Sequence, residues 1–247
     1  MDDQKLKVRA VERALVILLC FTAAKDLGLS EISIRVGLHK STVHRLLATL
    51  ENKGFIIRNS DTEKYRLGFR IWELSANLSQ SDDPAVILLP EMERLRDSLG
   101  ETVSLYIRDG NERVRIQAVQ SNQTIRRVAP IGARLPLYVG ASSKILYAFA
   151  ELEVRQRMRK ESPLPPAFEQ KGFEKQMNDI RLMGYATSIE EREPGAAAVA
   201  APILDRANKL VAAIAVSGPA NRWTMEKMTE HSAAIVEAAK RMCKMMK

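Results

Sequence analysis

Residues 37–55 read GLHKSTVHRLLATLENKGF, and how that stretch is read decides the fold. Val43, Leu46, Leu47 and Leu50 recur at i, i+3, i+4 and i+7, which lines them up as one apolar stripe on a helix. At about 100° per residue, Ser41, Arg45, Ala48 and Thr49 fall opposite that stripe, with Thr42 and His44 on its flanks. No acidic residue occurs in the stretch before Glu51. An ordinary solvated helix would show the same pattern, so the flanking sequence has to separate the two readings.

Upstream, Leu29-Ser30-Glu31 opens a helix with Ser30 placed to cap its free N–H groups and with Ile32 and Val36 as core residues. Gly37 supplies the tight turn into the next helix. Over residues 8–21, Val11, Ala14, Leu15, Leu18 and Leu19 keep a helical apolar spacing. Val16, Ile17 and Cys20 leave that helix little polar surface, so a second buried face is expected, one that meets a partner in a dimer. Downstream, Gly54 fits a left-handed cap, and residues 55–58 and 64–67 read as two strands around the polar turn 59–63. Helix, helix, turn, helix and hairpin make a winged helix-turn-helix. Arg58, Lys64 and Arg66 on the hairpin suit phosphate contacts, because point charges on a ribbon carry no base code.

A chain of 247 residues exceeds the usual single-domain size, and its formal charge of +8 fits a polyanionic partner. Cys20 and Cys243 stand far apart with no CxxC or Cys/His cluster, which argues against a structural metal or a disulfide framework. The apolar run 14–24 is shorter than the about 20 residues a membrane span needs. The expectation is a soluble, cytoplasmic protein with no membrane association.

Residues 68–81 keep helical spacing through Ile71, Leu74, Ala76 and Leu78, and Pro84 ends that run. Ala85, Leu88, Leu89, Met92, Leu95 and Leu99 spell a further helix, ending at Gly100. Strands are expected at 102–107 and 114–119 around Asp109-Gly110, and a third at 125–131. Helices near 143–149, 154–158 and 174–183 surround a proline-rich loop at Pro163, Pro165 and Pro166. Strands at 185–189, 197–204 and 210–217 follow, then a terminal helix capped by Thr224 and carrying Met228, Ile235, Ala239 and Met242. Strands and helices mix without a regular βαβ repeat, so the expected class is mixed α/β with a mainly antiparallel sheet flanked by helices.

Enzyme motifs are missing: there is no GxSxG, P-loop, HExxH or GxGxxG, and Ser142-Ser143-Lys144 is not SxxK. Glu190, Glu191 and Glu193 have no histidine beside them and read as a solvated acidic turn. His231 sits in the terminal helix as a surface or packing residue. No catalytic residue, metal ligand or cofactor is assigned. A metabolite-binding or interaction module, with the winged helix serving assembly, is the alternative from a different class.

Several of these motifs together resemble one family. Residues 8–247 look like a bacterial transcriptional regulator of the isocitrate-lyase-regulator (IclR) family. The N-terminal likeness lies in Val11-Glu12-Arg13-Ala14-Leu15, Lys40-Ser41-Thr42-Val43-His44-Arg45-Leu46-Leu47, Gly54-Phe55 and Tyr65-Arg66-Leu67-Gly68. The C-terminal likeness lies in Ala129-Pro130-Ile131-Gly132, Leu135-Pro136-Leu137, Lys144, Gly184-Tyr185, Glu190-Glu191, Gly195, Ala200-Ala201-Pro202-Ile203 and Ser217-Gly218-Pro219. His39 departs from the family, where many members carry proline.

The resemblance implies a winged helix-turn-helix domain over 1–68, a linker helix over 69–83 and a GAF- or profilin-like effector-binding and oligomerisation domain over 84–247. The implied partners are a pseudo-palindromic double-stranded operator, a small organic acid or aromatic metabolite, and further copies of the chain as a homodimer or tetramer. Arg45 is the candidate for bidentate guanine readout, and Ser41, Thr42 and His44 reach base edges or phosphates. Lys40 and the wing add sequence-independent affinity, and Ser30 completes the candidate set.

For the effector, the resemblance places Leu135 in an apolar wall and Ala141 and Ser142 where main-chain N–H groups meet a carboxylate. Ser188, Ala198, Ala215 and Ser217 line the polar end. Many acid-binding members have Asp, Cys and Ser where this chain has Ser188, Ala198 and Ala215, which points to a different or bulkier ligand than the familiar keto acids. Arg127 stands where an apolar wall residue is common. Facing inward it would favour an anion, facing outward it would be a surface residue, and Arg126 beside it takes the opposite face.

Overall fold

Helix α3, Lys40–Asn52, forms over the stretch whose spacing predicts it, burying Val43, Leu47 and Leu50 and half-burying Leu46. The computed structural model describes residues 8–76, 83–126, 130–137, 139–161 and 170–246, and the chain divides into two compact units, Met1–Gln80 and Ser81–Lys247. In the first unit, α1 (Arg9–Leu19), a 3-10 turn (Cys20–Thr22) and α2 (Leu29–Val36) precede α3. The hairpin β1 (Ile56–Arg58) and β2 (Tyr65–Leu67) follows, then α4 (Phe69–Ala76). Ile17, Phe21, Leu27, Ile32, Val43, Leu47, Leu50, Ile56 and Tyr65 form one buried cluster, so the three helices and the hairpin share a core.

Two expectations for this unit need correction. Ser30 does not cap α2: the Gly28 N–H donates to Glu31 Oε2 at 2.7 Å, and Ser30 is exposed inside the first turn. Leu29 packs against the core, which draws the helix start upstream of Ser30. On α1 the buried residue is Ile17, while Val8, Val11, Leu15 and Leu19 make an outward apolar stripe. Spacing reveals that two apolar stripes exist, but only packing against α2 and α3 chooses which one is core.

At the end of α3 the Phe55 N–H reaches the Leu50 carbonyl and the Gly54 N–H the Glu51 carbonyl, both at 2.9 Å. With Gly54 at φ +75°, this is a Schellman cap. The chain leaving the wing crosses directly over it, where a Cβ on Gly68 would run into the Gly54 carbonyl oxygen. Glycine at both places lets the wing seat on the end of α3.

In the second unit the helices are α5 (Pro84–Ile87), α6 (Leu89–Leu99), α7 (Ala141–Ala148), α8 (Leu152–Glu161), α9 (Gln170–Met183) and α10 (Met225–Met245). The strands are β3 (Thr102–Asp109), β4 (Glu112–Val119), β5 (Arg134–Pro136), β6 (Ala186–Ile189), β7 (Ala196–Leu204) and β8 (Leu210–Pro219). They form one sheet in the order β5-β4-β3-β8-β7-β6, with every neighbouring pair antiparallel. Both faces are covered. Val103, Leu105, Val199, Ala201, Ile214 and Val216 pack under α6 and α10, while Tyr106, Ala186, Ala200, Ala213 and Ala215 pack under α7 and α9. Thr224 caps α10 as expected, its hydroxyl accepting from the Lys227 N–H at 3.4 Å.

The helix expected over 85–99 is two, broken at Leu88, because Pro90 has no N–H to donate and its ring crowds the carbonyl four residues back. The third strand expected at 125–131 is absent among the described residues. Ile125, Arg126, Pro130 and Ile131 are irregular, and the next strand is β5. Arg127, the proline loop at 163–166 and residues 77–82 of the expected linker helix lie outside the described residues.

Candidate functional site

The outward face of α3 carries Lys40, Ser41, His44, Arg45, Ala48 and Thr49, all exposed, with Thr42 half-buried at its edge. Among the described residues, the side chains of Lys40, His44 and Arg45 have no hydrogen-bond or ion-pair partner, so they stand available to a ligand. Ser41 is engaged: the imidazole Nδ1 of His39 lies 2.8 Å from its hydroxyl and accepts from its N–H at 3.3 Å. His39 therefore works as the N-cap of α3, a helix-end role that sequence reading had not given it.

On the wing, Lys64 and Arg66 are exposed without an acidic partner among the described residues, but Arg58 pairs with Glu63 in the turn. The Arg58 guanidinium also lies 5.8 Å from the Tyr65 ring centroid. The wing thus neutralises one of its three candidate cations internally. Ser30 is exposed on α2, so every candidate DNA-contact residue except Thr42 is open to solvent.

The second unit holds a cavity of about 50 Å³ between the sheet and the start of α7. Ala141, Ser142, Ser188, Ala198, Ala215 and Ser217 line it together. Strand pairing explains the grouping, because Ser188, Ala198 and Ser217 are cross-strand neighbours on β6, β7 and β8. Leu135 does not line it; from β5 it is half-buried beside the cluster under α7. The freed volume at Ala198 and Ala215 is not simply room for a bulky ligand, since Tyr106, Arg113 and Arg115 reach into the same cavity.

Arg113 and Arg115, at 5% and 3% exposure, are the only arginines buried among the described residues, and sequence reading missed them both. Arg113 donates to the Ser142 hydroxyl, and Arg115 donates to the Tyr106 hydroxyl from Nε at 3.1 Å and Nη2 at 2.5 Å. Their guanidiniums lie 5.1 and 5.2 Å from the Tyr106 ring centroid. A bulge aims them there. Leu105 pairs with Gln117 and the next residue, Tyr106, with Arg115, so Ile116 is skipped. Skipping one residue reverses the facing of everything beyond it, which turns Arg115 and Arg113 onto the face under α7.

The turn 190–193 is also more than a solvated acidic loop. Glu191 pairs with the buried Lys144 ammonium on α7, and its Oε2 accepts from the Gly140 N–H at 3.1 Å. Lys144 Nζ also donates to the Thr187 carbonyl at 3.0 Å. Gly140, at φ +93° and ψ 153°, adopts a backbone that is essentially glycine's alone, and a Cβ there would sit 3.1 Å from the Arg113 guanidinium. These contacts fix the first turn of α7 over the cavity.

Residues 10–60 match the profile of the IclR helix-turn-helix domain, and residues 80–244 match that of the bacterial transcriptional regulator IclR C-terminal domain. The chain belongs to the IclR family. As an IclR-family member it is a helix-turn-helix transcriptional regulator with a C-terminal effector-binding domain. It is 30% identical to the HTH-type transcriptional regulator KdgR of Escherichia coli, over 100% of this chain and 95% of that protein. It is 32% identical to BhcR of Paracoccus denitrificans, covering 94% and 85% of the two chains. Among solved structures, the IclR of Thermotoga maritima matches at TM-score 0.76 and 28% identity, over 96% of this chain and 98% of that one. An IclR homologue from Microbacterium hydrocarbonoxydans, complexed with 4-hydroxybenzoate, matches at 0.82 and 26%, over 96% and 98%.

Proposed function

We propose that this regulator reads a pseudo-palindromic operator as a homodimer or tetramer, in the cytoplasm, under the control of a small acidic effector. The observation that carries the DNA reading is Arg45, exposed at the centre of the α3 face with its guanidinium uncommitted among the described residues. Helix α3 enters the major groove, where a guanidinium pairs with both acceptors on a guanine edge. Lys40, Lys64 and Arg66 bind phosphates, and Ser30, Thr42 and His44 supply flanking contacts. The linker spans residues 69–83 and carries the state of the effector domain to the winged helix. Support for an acidic effector comes from the cationic cavity under α7 and from a homologue that binds an aromatic acid. The effector acts only through different affinities for the DNA-competent and DNA-incompetent states.

Arg45→Ala is expected to lose about 1–3 kcal/mol on the operator and to relax preference at one base pair, while Lys64→Ala weakens operator and random DNA alike. Fluorescence anisotropy on both DNAs reads the difference. Equal losses on the two for Arg45→Ala would remove its readout role.

Glu63→Gln tests the wing in the opposite direction. Freeing Arg58 from its ion pair is expected to tighten binding to random DNA by up to about fivefold, the worth of an exposed pair. It should also steepen the log–log salt dependence by about 0.9, one more phosphate neutralised. An unchanged slope would show that Arg58 does not reach the backbone.

A further inference from the structure

A second cavity, of about 250 Å³, opens at the other end of α7. Leu146 of α7, Ala150, Val154 of α8 and Leu210 of β8 form its apolar wall. A bulge builds that wall. Ile203 pairs with Ala212 and the next residue, Leu204, with Leu210, so Val211 is skipped. The skip turns Leu210 onto the α7 face of the sheet, where it packs in one cluster with Leu146 and Val154.

Arg108, Glu151 and Lys209 rim the wall. Lys209 is fixed by its own turn, in which Asp205 Oδ1 accepts from the Ala207 and Lys209 N–H groups at 2.8 and 2.9 Å. Its ammonium lies 3.5 Å from the Glu151 carboxylate, so those two charges offset each other. Arg108 shares the α7 face with Tyr106, two residues back on β3. Its Nη1 donates to the Gly110 carbonyl at 2.8 Å, a neutral acceptor that leaves the guanidinium its charge. The acids nearest it in sequence, Asp109 and Glu112, both pair with Arg134. Among the described residues the rim therefore keeps one net positive charge, on Arg108.

Volume and charge together specify a ligand. An apolar cavity of about 150 Å³ admits benzene, and this one exceeds that size, whereas the cavity at the start of α7, at about 50 Å³, does not reach it. One net charge on the rim matches one carboxylate and would leave a second carboxylate unpaired.

We propose that the cavity at the end of α7 is a second ligand site, for a monocarboxylate whose body is about the size of one ring. The carboxylate meets Arg108 at the rim, and the body lies against Leu146, Val154 and Leu210. The two cavities share no lining residue, so this site stands or falls separately from the effector site.

Photolabelling the full chain with 4-azidobenzoate locates the ring. Tryptic cleavage after Lys144 and Arg155 puts Leu146, Ala150 and Val154 in one peptide, 145–155, and cleavage after Arg134 puts Ala141 and Ser142 in another, 135–144. Label is expected in 145–155, and benzoate is expected to displace it at about a tenth or less of the concentration acetate needs, because acetate has no ring to bury. Arg108 is exposed, so Arg108→Gln removes the contact without disturbing a core. That variant is expected to weaken displacement by benzoate about fivefold or more, while displacement by uncharged benzyl alcohol stays within about twofold. Displaceable label in both peptides supports the second site as well. Absence of label from 145–155 would overturn it, and label in 135–144 alone would assign the ring to the effector cavity. Label in 145–155 that benzoate does not displace, or an Arg108→Gln variant that responds to benzoate like wild type, would overturn it too.

Discussion

Glu191→Ala is expected to destabilise the second unit by about 3 kcal/mol and to abolish effector binding while the winged helix stays folded. The size follows from what the substitution strands. Lys144 is buried to 8% side-chain exposure, and Glu191 supplies its countercharge. Removing one partner of a buried pair costs about 3–5 kcal/mol, and the 30% exposure of the Glu191 side chain puts this pair at the low end. The same change opens the Gly140 N–H, so the α7 first turn loses two of its tethers over the cavity. Trp223, buried in the second unit, reports urea unfolding in a Trp72→Phe background, since the chain has two tryptophans and Trp72 lies in the first unit. Glu190→Ala is the control: Glu190 is exposed and accepts only from the Gly195 N–H at 2.7 Å, so its loss should cost under about 1 kcal/mol. Adding Lys144→Met to Glu191→Ala should recover part of the stability, because the stranded charge is then gone. Unfolding of Glu191→Ala at the wild-type urea midpoint would dismiss this account of α7.

Leu47→Ala should remove DNA binding altogether, on operator and random sequence alike, by loosening the first unit. Leu47 is fully buried at the centre of α3, and truncating such a residue costs about 2–5 kcal/mol. A unit of this length has a total stability of only about 4–12 kcal/mol, at roughly 0.05–0.15 kcal/mol per residue. Its described core is the single cluster of nine side chains, so little else compensates. The contrast with Arg45→Ala separates fold from readout: one lowers stability and all DNA affinity, the other leaves stability unchanged and loses preference. The Trp223 transition is expected to stay where it is, because that tryptophan reports the other unit. Retention of wild-type operator affinity by Leu47→Ala would contradict the assignment of this core.

The winged helix was readable from local signals. Stripe spacing located α3, Gly54 announced its cap, and two short strand-like runs around a polar turn announced the wing. The solvent face of α3 followed from the same geometry, which is why its exposed candidates are where the spacing puts them. What spacing did not reveal was partnership. Arg58 looks like a free cation until Glu63 folds back onto it, and His39 looks like a lost proline until its ring caps the helix.

The pocket was legible in half. Its wall of small and hydroxyl residues came from resemblance to a family, and the structure brings Ala141, Ser142, Ser188, Ala198, Ala215 and Ser217 to one cavity. Attention on the cationic side went to Arg127, while Arg113 and Arg115 were not singled out. In β4, arginine alternates with Val114 and Ile116, a pattern that ordinarily sends the charges to water.

By itself, then, the sequence determined most of the elements, the Gly54 cap, the turn of the wing and the outward face of α3, because these depend on neighbours within a turn or a hairpin. Only the tertiary structure decided which face of β4 is the pocket. The bulge at Ile116 is set by pairing with β3, and helices cover both sides of the sheet, so alternation alone names two faces without saying which one water sees.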